Sequence, residues 1–295
     1  MSSSVIGTNI NALVAHRNMT TVANTQTRAS QSLSSGKRIN QAADDVAGMG
    51  IAEKMRAQTQ SLDRASMNTQ DGISLVQTAE GALSSITDML IRMKELTIQA
   101  ANDTNVHDPT SALGFDRQVI QNELDQLMFE INNVAYRTHF STRVLLDGSN
   151  SLDNGDGLWI HTGANYGNGM QVGINSVTTE SLGAPDGDLL DLVNVLEEFG
   201  EDISPVLAYI ERALTRTANE RSNLGAFQNR MEFAQIQNDI TSENLKAAKS
   251  RIEDADMARE HMRLVQANIL QQASTSVLAQ ANQAPQTILQ LLNPN

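Results

Sequence analysis

No proline precedes Pro109, and none falls between Pro205 and Pro285. Proline removes a backbone donor and clashes with the preceding turn, so its absence over such lengths permits helices far longer than the average. The residues filling these stretches agree with that reading, being rich in Ala, Gln, Leu, Ser and Thr, which read as long helices. Aromatic residues make up only 3% of the 295, with Trp159 the single tryptophan. A compact core of this size ordinarily draws much of its buried area from aromatic rings. The chain therefore reads as mainly α, an elongated antiparallel helical bundle or coiled coil with small aliphatic side chains between the helices. There is no cysteine, which excludes disulfide staples, thiolate metal ligands and thiol nucleophiles.

Charge is distributed unevenly. Lys and Arg number 21 against 34 acids, a formal charge of −13, which makes the chain a poor nucleic-acid binder. No run of 18 apolar residues is present to span a membrane. The start, Met1-Ser-Ser-Ser-Val-Ile-Gly-Thr8, has no basic segment followed by an apolar one, so no cleaved signal peptide is expected. Residues 1–40 hold four cations and no acid, whereas 151–220 hold 12 acids and only Arg212 and Arg216 as cations. Residues 264–295 carry no charge at all, yet include Ile269, Leu270, Val277, Leu278, Ile288, Leu289, Leu291 and Leu292. Disordered tails favour high charge and few large aliphatics. Ends buried in an assembly, with an acidic middle facing water, fit this pattern better.

Both ends show helical periodicity. Val5, Thr8, Ala12, Ala15, Met19, Val22, Gln26, Ala29 and Leu33 fall at alternating three- and four-residue steps, the a/d spacing of a coiled-coil seam, with Ile6, Ile10 and Leu13 widening the row. Ala258, Met262, Val265, Ile269, Ala273, Val277, Ala281, Ala284, Ile288 and Leu291 form a second row, which Pro285 should kink or restart. The two rows can most simply pack on each other in antiparallel fashion; two helices each binding another partner would give the same pattern.

Between them, Gly36 to Asp45 reads as a break with Asp44 or Asp45 as the next N-cap. A helix is expected from there to about Asn102, its core row being Ile73, Val76, Ala79, Leu83, Ile86, Leu90 and Met93. Gly48, Gly50, Gly72 and Gly81 interrupt it at about 1 kcal/mol each relative to Ala, which close helix packing should offset. A turn at 102–109 and a helix over 111–134 follow. From 136 to 186 glycines cluster and short β-favouring runs appear, Val144–Leu146, Leu158–Ile160 and Met170–Ile174, indicating a small hairpin or meander. A short helix over 188–199 precedes Ser204-Pro205, an N-cap followed by proline at the first helical position, opening a helix to about 252.

Catalytic and ligand motifs are missing. Glu53 stands where a dinucleotide loop beginning at Gly48 would need glycine, and Gln31 where a P-loop ending at Gly36-Lys37 would need one. No Gly-x-Ser-x-Gly elbow exists, and His16, His107, His139, His161 and His261 lack ligand spacing. Asp147–Gly157 is rich in oxygen ligands but misses the calcium-loop register, so turn chemistry explains it better. No cofactor, metal or catalytic residue is expected.

Five stretches, in order, resemble bacterial flagellins: Ser32-Leu-Ser-Ser-Gly-Lys-Arg-Ile-Asn40, Ala42–Ala52, Asp71–Gly81, Arg221–Arg230 and Ser276–Pro285. The resemblance covers about 1–150 and 204–295 and leaves a reduced central region. His139-Phe-Ser-Thr142 departs from the family's Phe-Asn-Gly neighbourhood at the hairpin, and 186–202 has no counterpart.

The resemblance implies a structural subunit that self-assembles into the flagellar filament for motility, extracellular and exported without signal cleavage. Residues 1–40 with 258–295 would form the inner-tube domain, and 45–252 the shaft. The polymerisation residues would be Ile6, Ile10, Leu13, Val22, Leu33, Met262, Val265, Ile269, Val277, Ile288 and Leu291. Implied partners are further copies of the chain, an export chaperone at the C-terminus, and hook-associated and cap proteins. Leu90–Asn102 matches the segment bound by Toll-like receptor 5 in many flagellins, with Arg92, Leu96, Gln99 and, on the next helix, Glu123 at the matching positions. An ordinary surface ion pair at Arg92 and core packing of Leu96 would give the same residues. A hook–filament junction protein with similar termini, a flagellin with an enzymatic insert and a coiled-coil adaptor are the alternatives; the matches at 221–230 and 273–292 favour the filament subunit.

Overall fold

The structure is a computed structural model that describes residues 8–102, 115–152, 155–183, 187–196 and 200–292, with the side chains of 115, 116 and 284–292 outside that description. Helix α1 spans Ile10–Ser35. Asn9 caps its start, the side-chain oxygen accepting from the Ala12 amide at 3.0 Å. Gly36 ends it in the left-handed conformation (φ 72°), with its N–H donating to the Ser32 carbonyl at 2.9 Å. Helices α2 (Val46–Ala100) and α3 (Phe115–Arg137) follow. Two hairpins come next, β1 (His139–Phe140) with β2 (Arg143–Val144) and β3 (Leu158–His161) with β4 (Gly169–Val172), both antiparallel. Short helices α4 (Thr179–Gly183) and α5 (Leu189–Leu192) precede the long α6 (Gly200–Glu253) and α7 (Met257–Leu292). The chain divides into two compact units, 1–59 with 243–295, and 60–242.

In the terminal unit α1 and α7 pair antiparallel. The Asn9 amide donates to the Ala281 carbonyl at 2.7 Å, and Gln26 to the Asn268 side chain at 2.8 Å. On α1 the residues withdrawn from water are those the spacing predicts, Ala12, Ala15, Met19, Val22, Gln26, Ala29 and Leu33, joined by Ala23 and Ser32. On α7 they are not. Glu260, Leu264, Ala267, Gln271, Ser274, Leu278 and Ala281 turn inward, while Ala258, Met262, Val265, Ile269, Ala273 and Val277 remain exposed. Two rows of α7 repeat at three- and four-residue steps, and the one with the smaller or more flexible side chains faces the alanine-rich side of α1. The helix runs through Pro285 to Leu292.

In the unit formed by 60–242, Ile73, Val76, Ala79, Leu83, Ile86, Leu90 and Met93 are all buried, packed with Leu124, Met128 and Ile131 of α3 and Ile203, Ile210 and Met231 of α6. The largest fully buried side chains are aliphatic or methionine; no described aromatic ring is among them. Gly72 is where a side chain would not fit, since a Cβ there would lie 2.6 Å from Ile160 Cδ1 and 2.9 Å from Met231 Sδ. Hairpin and α6 close on α2 through that gap. Gly50 and Gly81, by contrast, face open space, so close packing does not explain them.

Three boundaries differ from the sequence pattern. Helix α3 runs on to Arg137, and its start at 111–114 and the 102–109 turn lie outside the described residues beyond Asn102. The helix expected over 188–199 is only Leu189–Leu192. Beyond it the Gln121 side chain donates to the Val193 carbonyl at 3.1 Å and accepts from the Val195 amide at 2.9 Å, an extended pairing that replaces helical bonds. Helix α6 begins by Gly200, so Pro205 sits inside it rather than opening it. So near the start, the ring leaves only one carbonyl of the first turn without its bond.

Candidate assembly and recognition surfaces

Sequence reasoning singles out the terminal rows. Ile6 lies outside the described residues, and the side chains of Ile288 and Leu291 do as well. Val22 and Leu33 are half-buried in the α1 seam. Ile10, Leu13, Met262, Val265, Ile269 and Val277 are exposed, Met262 and Ile269 by more than 60%. The proposed set therefore splits between residues that hold α1 in its pair and residues that the single chain leaves uncovered. The seam also buries the Gln271 Oε1 without a hydrogen-bond partner, an arrangement more polar inside than outside.

A clasp at the two helix breaks was not foreseen. The amides of Arg38 and Ile39 donate to the Glu253 carbonyl at 2.7 and 3.4 Å, and the Ala255 amide to the Gly36 carbonyl at 2.9 Å. Arg38 reaches the Ile252 carbonyl at 2.5 Å. Lys37 pairs with the Glu253 carboxylate, which Lys249 also meets at 3.3 Å. The hydrogen bond from Lys37, and secondarily Lys249, holds the Glu253 carboxyl below its usual range in spite of partial burial. Of the two candidate caps of α2, Asp45 is the one used. Asp45 accepts from the Gly48 amide at 2.8 Å, while Asp44 accepts from the amides of Asn40 and Gln41 at 3.1 and 3.0 Å, which lowers its pKa. The left-handed Gly36 followed by two cations was the available signal.

The receptor-like segment is assembled only in part. Arg92 donates through Nε and Nη2 to one Glu123 oxygen at 3.0 and 2.9 Å, and through Nη1 to Glu95 at 3.4 Å. The Glu123 hydrogen bond raises the pKa of the guanidinium. Gln99 is exposed on the same helix. Leu96 is not on that surface: it is 2% exposed and belongs to the core. Its position on the helix borders both faces, and α3 covers it, held there by the Arg92–Glu123 pair and by Arg117 donating to the Ala100 carbonyl at 3.0 Å.

Aromatic side chains lie where the composition alone could not place them. Phe129 and Tyr136 on α3, Trp159 and Tyr166 on or beside the second hairpin, and Phe233 on α6 are all more than half exposed. Interfaces concentrate aromatic residues, and soluble surfaces do not ordinarily display so large a share of them. Among the described residues no group of three metal-binding side chains is present.

The bacterial flagellin N-terminal helical region matches residues 6–151, and the bacterial flagellin C-terminal helical region matches 207–292. A flagellin of Halalkalibacterium halodurans is 43% identical over 98% of this chain and 99% of its own length. A Bacillus subtilis flagellin is 41% identical over 89% of this chain and 91% of its own. The flagellar filament 33 kDa core protein of Treponema phagedenis is 36% identical over 98% and 99%. A solved structure described as a putative flagellar hook-associated protein from Vibrio parahaemolyticus shares the fold (TM-score 0.59, covering 72% of this chain and all of that one) at 14% identity, and so does not favour a junction protein. With both family regions matched in order and full-length relatives well above the threshold of chance, the chain belongs to the bacterial flagellin family.

Proposed function

We propose that this chain is the structural subunit of a bacterial flagellar filament and polymerises through the rows of α1 and α7 that it leaves uncovered. The arrangement of α7 supports this most strongly: Met262, Val265, Ile269 and Val277 point outward along a helix whose last 29 described residues, 264–292, have no charge. Water-facing helices interleave charges, and a row like this one suits contact with protein. Residues 1–40 with 258–295 then serve as the inner tube and 45–252 as the shaft. Relatives described as a flagellin and as a flagellar filament core protein support a place in the flagellum, where the chain is extracellular.

Before assembly the same α7 row suits an export chaperone, with export proceeding without signal cleavage. Hook-associated and cap proteins are the neighbours at the filament ends. Arg92, Gln99 and Glu123 supply the surface part of a Toll-like receptor 5 patch, with Leu96 supporting it from inside. The role is structural, and no step of it calls for a catalytic group.

Seeded polymerisation followed by sedimentation tests the reading. Ile269→Asp should leave the chain in the supernatant, since an unpaired charge buried in an interface costs several kcal/mol, roughly. Normal filaments from Ile269→Asp would refute polymerisation through this row.

A further inference from the structure

Two further rows of exposed, uncharged side chains lie on the unit formed by 60–242. On α3 they are Val119, Asn122, Gln126, Phe129, Asn133 and Tyr136; on α6 they are Ser222, Ala226, Asn229, Phe233, Ile236 and Ile240. Each row advances by alternating steps of three and four residues, the spacing of a coiled-coil seam. Each spans nearly the same length, about 26 Å on α3 and about 27 Å on α6 at 1.5 Å per residue. Each carries a phenylalanine near its middle, Phe129 at 55% and Phe233 at 73% exposure.

We infer that these rows are complementary: the α3 row of one copy packs against the α6 row of the next. This rests on the filament reading above and names a contact within it. The rows sit on different helices, so the contact is heterologous, and every copy that uses its α3 row still offers an α6 row. A contact of that kind does not close on itself unless the rotation happens to, and otherwise propagates as an open helical array. The direction of the helices fits as well. Helix α2 runs antiparallel to α3, as Arg92–Glu123 and Arg117–Ala100 require, and antiparallel to α6, as Lys94–Glu211 at 2.8 Å and Ser66–Asp239 at 3.2 Å require. Helices α3 and α6 therefore run in the same sense, and copies repeated with one polarity bring the two rows together in parallel.

The edges of the rows add a preference for this partner over an unrelated protein. Glu123 and Glu130 flank the α3 row and Arg230 flanks the α6 row, with Glu232 and Asp239 on the far side of it. A charged edge around a charge-free centre keeps the free copy soluble and restricts what can dock.

The absence of cysteine makes the contact directly testable. A chain carrying both Phe129→Cys and Phe233→Cys, assembled on seeds and treated with a bis-maleimide long enough to span one helical turn, should give a ladder of dimers, trimers and higher multimers on a denaturing gel. Either single variant should give none, because each contact then holds one thiol. Tyr136→Cys with Ile240→Cys is the second pair, read in the same way should the first disturb folding. In parallel, Phe129→Asp should raise the concentration of free chain left beside filaments at least tenfold while far-ultraviolet circular dichroism stays unchanged. Filaments of the double variants that yield no ladder, or dimers from a single variant, overturn the α3–α6 pairing and leave the filament reading intact. Failure of the unmodified chain to form filaments overturns both.

Discussion

Glu220 holds Asn175 twice: its Oε1 accepts from the Asn175 backbone amide at 2.9 Å and its Oε2 from the Asn175 side-chain amide at 3.0 Å. The carboxylate is 5% exposed, and Ser151 donates to the remaining oxygen of Asn175 at 2.7 Å. One acidic residue of α6 thereby fixes the segment that follows β4 and ties it to the loop after β2. Glu220→Ala should lower stability by about 1–3 kcal/mol, because the two Asn175 amides lose hydrogen bonds to a charged acceptor. Glu220→Gln, which keeps one acceptor, should cost less. Urea midpoints of the free chain measure both.

Arg92 and Leu96 should separate cleanly. Leu96→Ala removes a fully buried side chain and should destabilise the free chain by about 2–5 kcal/mol. Arg92→Ala breaks an ion pair whose two side chains are about half exposed, which should leave the urea midpoint nearly unchanged. Binding to the Toll-like receptor 5 ectodomain should weaken by about 1–3 kcal/mol for Arg92→Ala at unchanged Tm. Unchanged binding for Arg92→Ala combined with Glu123→Ala would remove the receptor patch.

Ser141, in the turn between β1 and β2, has φ 58° and is the only non-glycine described with positive φ. The family's Asn-Gly at this neighbourhood suits such a turn better than Ser-Thr. Left-handed backbone costs a residue with a Cβ about 1–2 kcal/mol, so Ser141→Gly should stabilise the chain by about 1 kcal/mol after the added unfolded-state entropy. A higher thermal midpoint is the expected readout.

The clasp carries a pH dependence. Glu253 has its folded pKa held below the ordinary 4.5 by Lys37 and Lys249, so its contribution is present above the ordinary value and is lost as pH falls through the depressed one. Acidifying from pH 6 to 3 should therefore lower the hydrogen-exchange protection of Arg38, Ile39 and Ala255, taken as the measured rate against the intrinsic amide rate at the same pH. Glu253→Gln should be less protected already at pH 6 and lose less protection on acidification. Equal pH profiles for the two chains would mean that the backbone bonds hold the clasp without the carboxylate.

The long helices were legible because their signals are local: the α2 row from Ile73 to Met93 is buried residue for residue, and Gly36 and Asp45 end or start helices by their own chemistry. What escaped depends on partners distant in sequence. Periodicity marked the apolar row of α7 but not that α1 takes the other one, with Leu264 and Ala267 inside. Residues 193–195 lost their helix to the side chain of Gln121, and Leu96 lost its exposure to α3. Gly72 and Gly81 look alike in sequence, and only the approach of Ile160 and Met231 distinguishes them.

A core with no fully buried aromatic ring among the described residues has a consequence for how the protein can be watched. The one indole, Trp159, lies on β3 at 58% exposure, over the Gly169 of its pairing strand. Its emission in the free chain should already sit near that of indole in water, and melting the helices will scarcely move it. Covering the hairpin would shift it to the blue. Fluorescence that is nearly silent to unfolding thus becomes, without any label, an optical gauge of what lands on that hairpin.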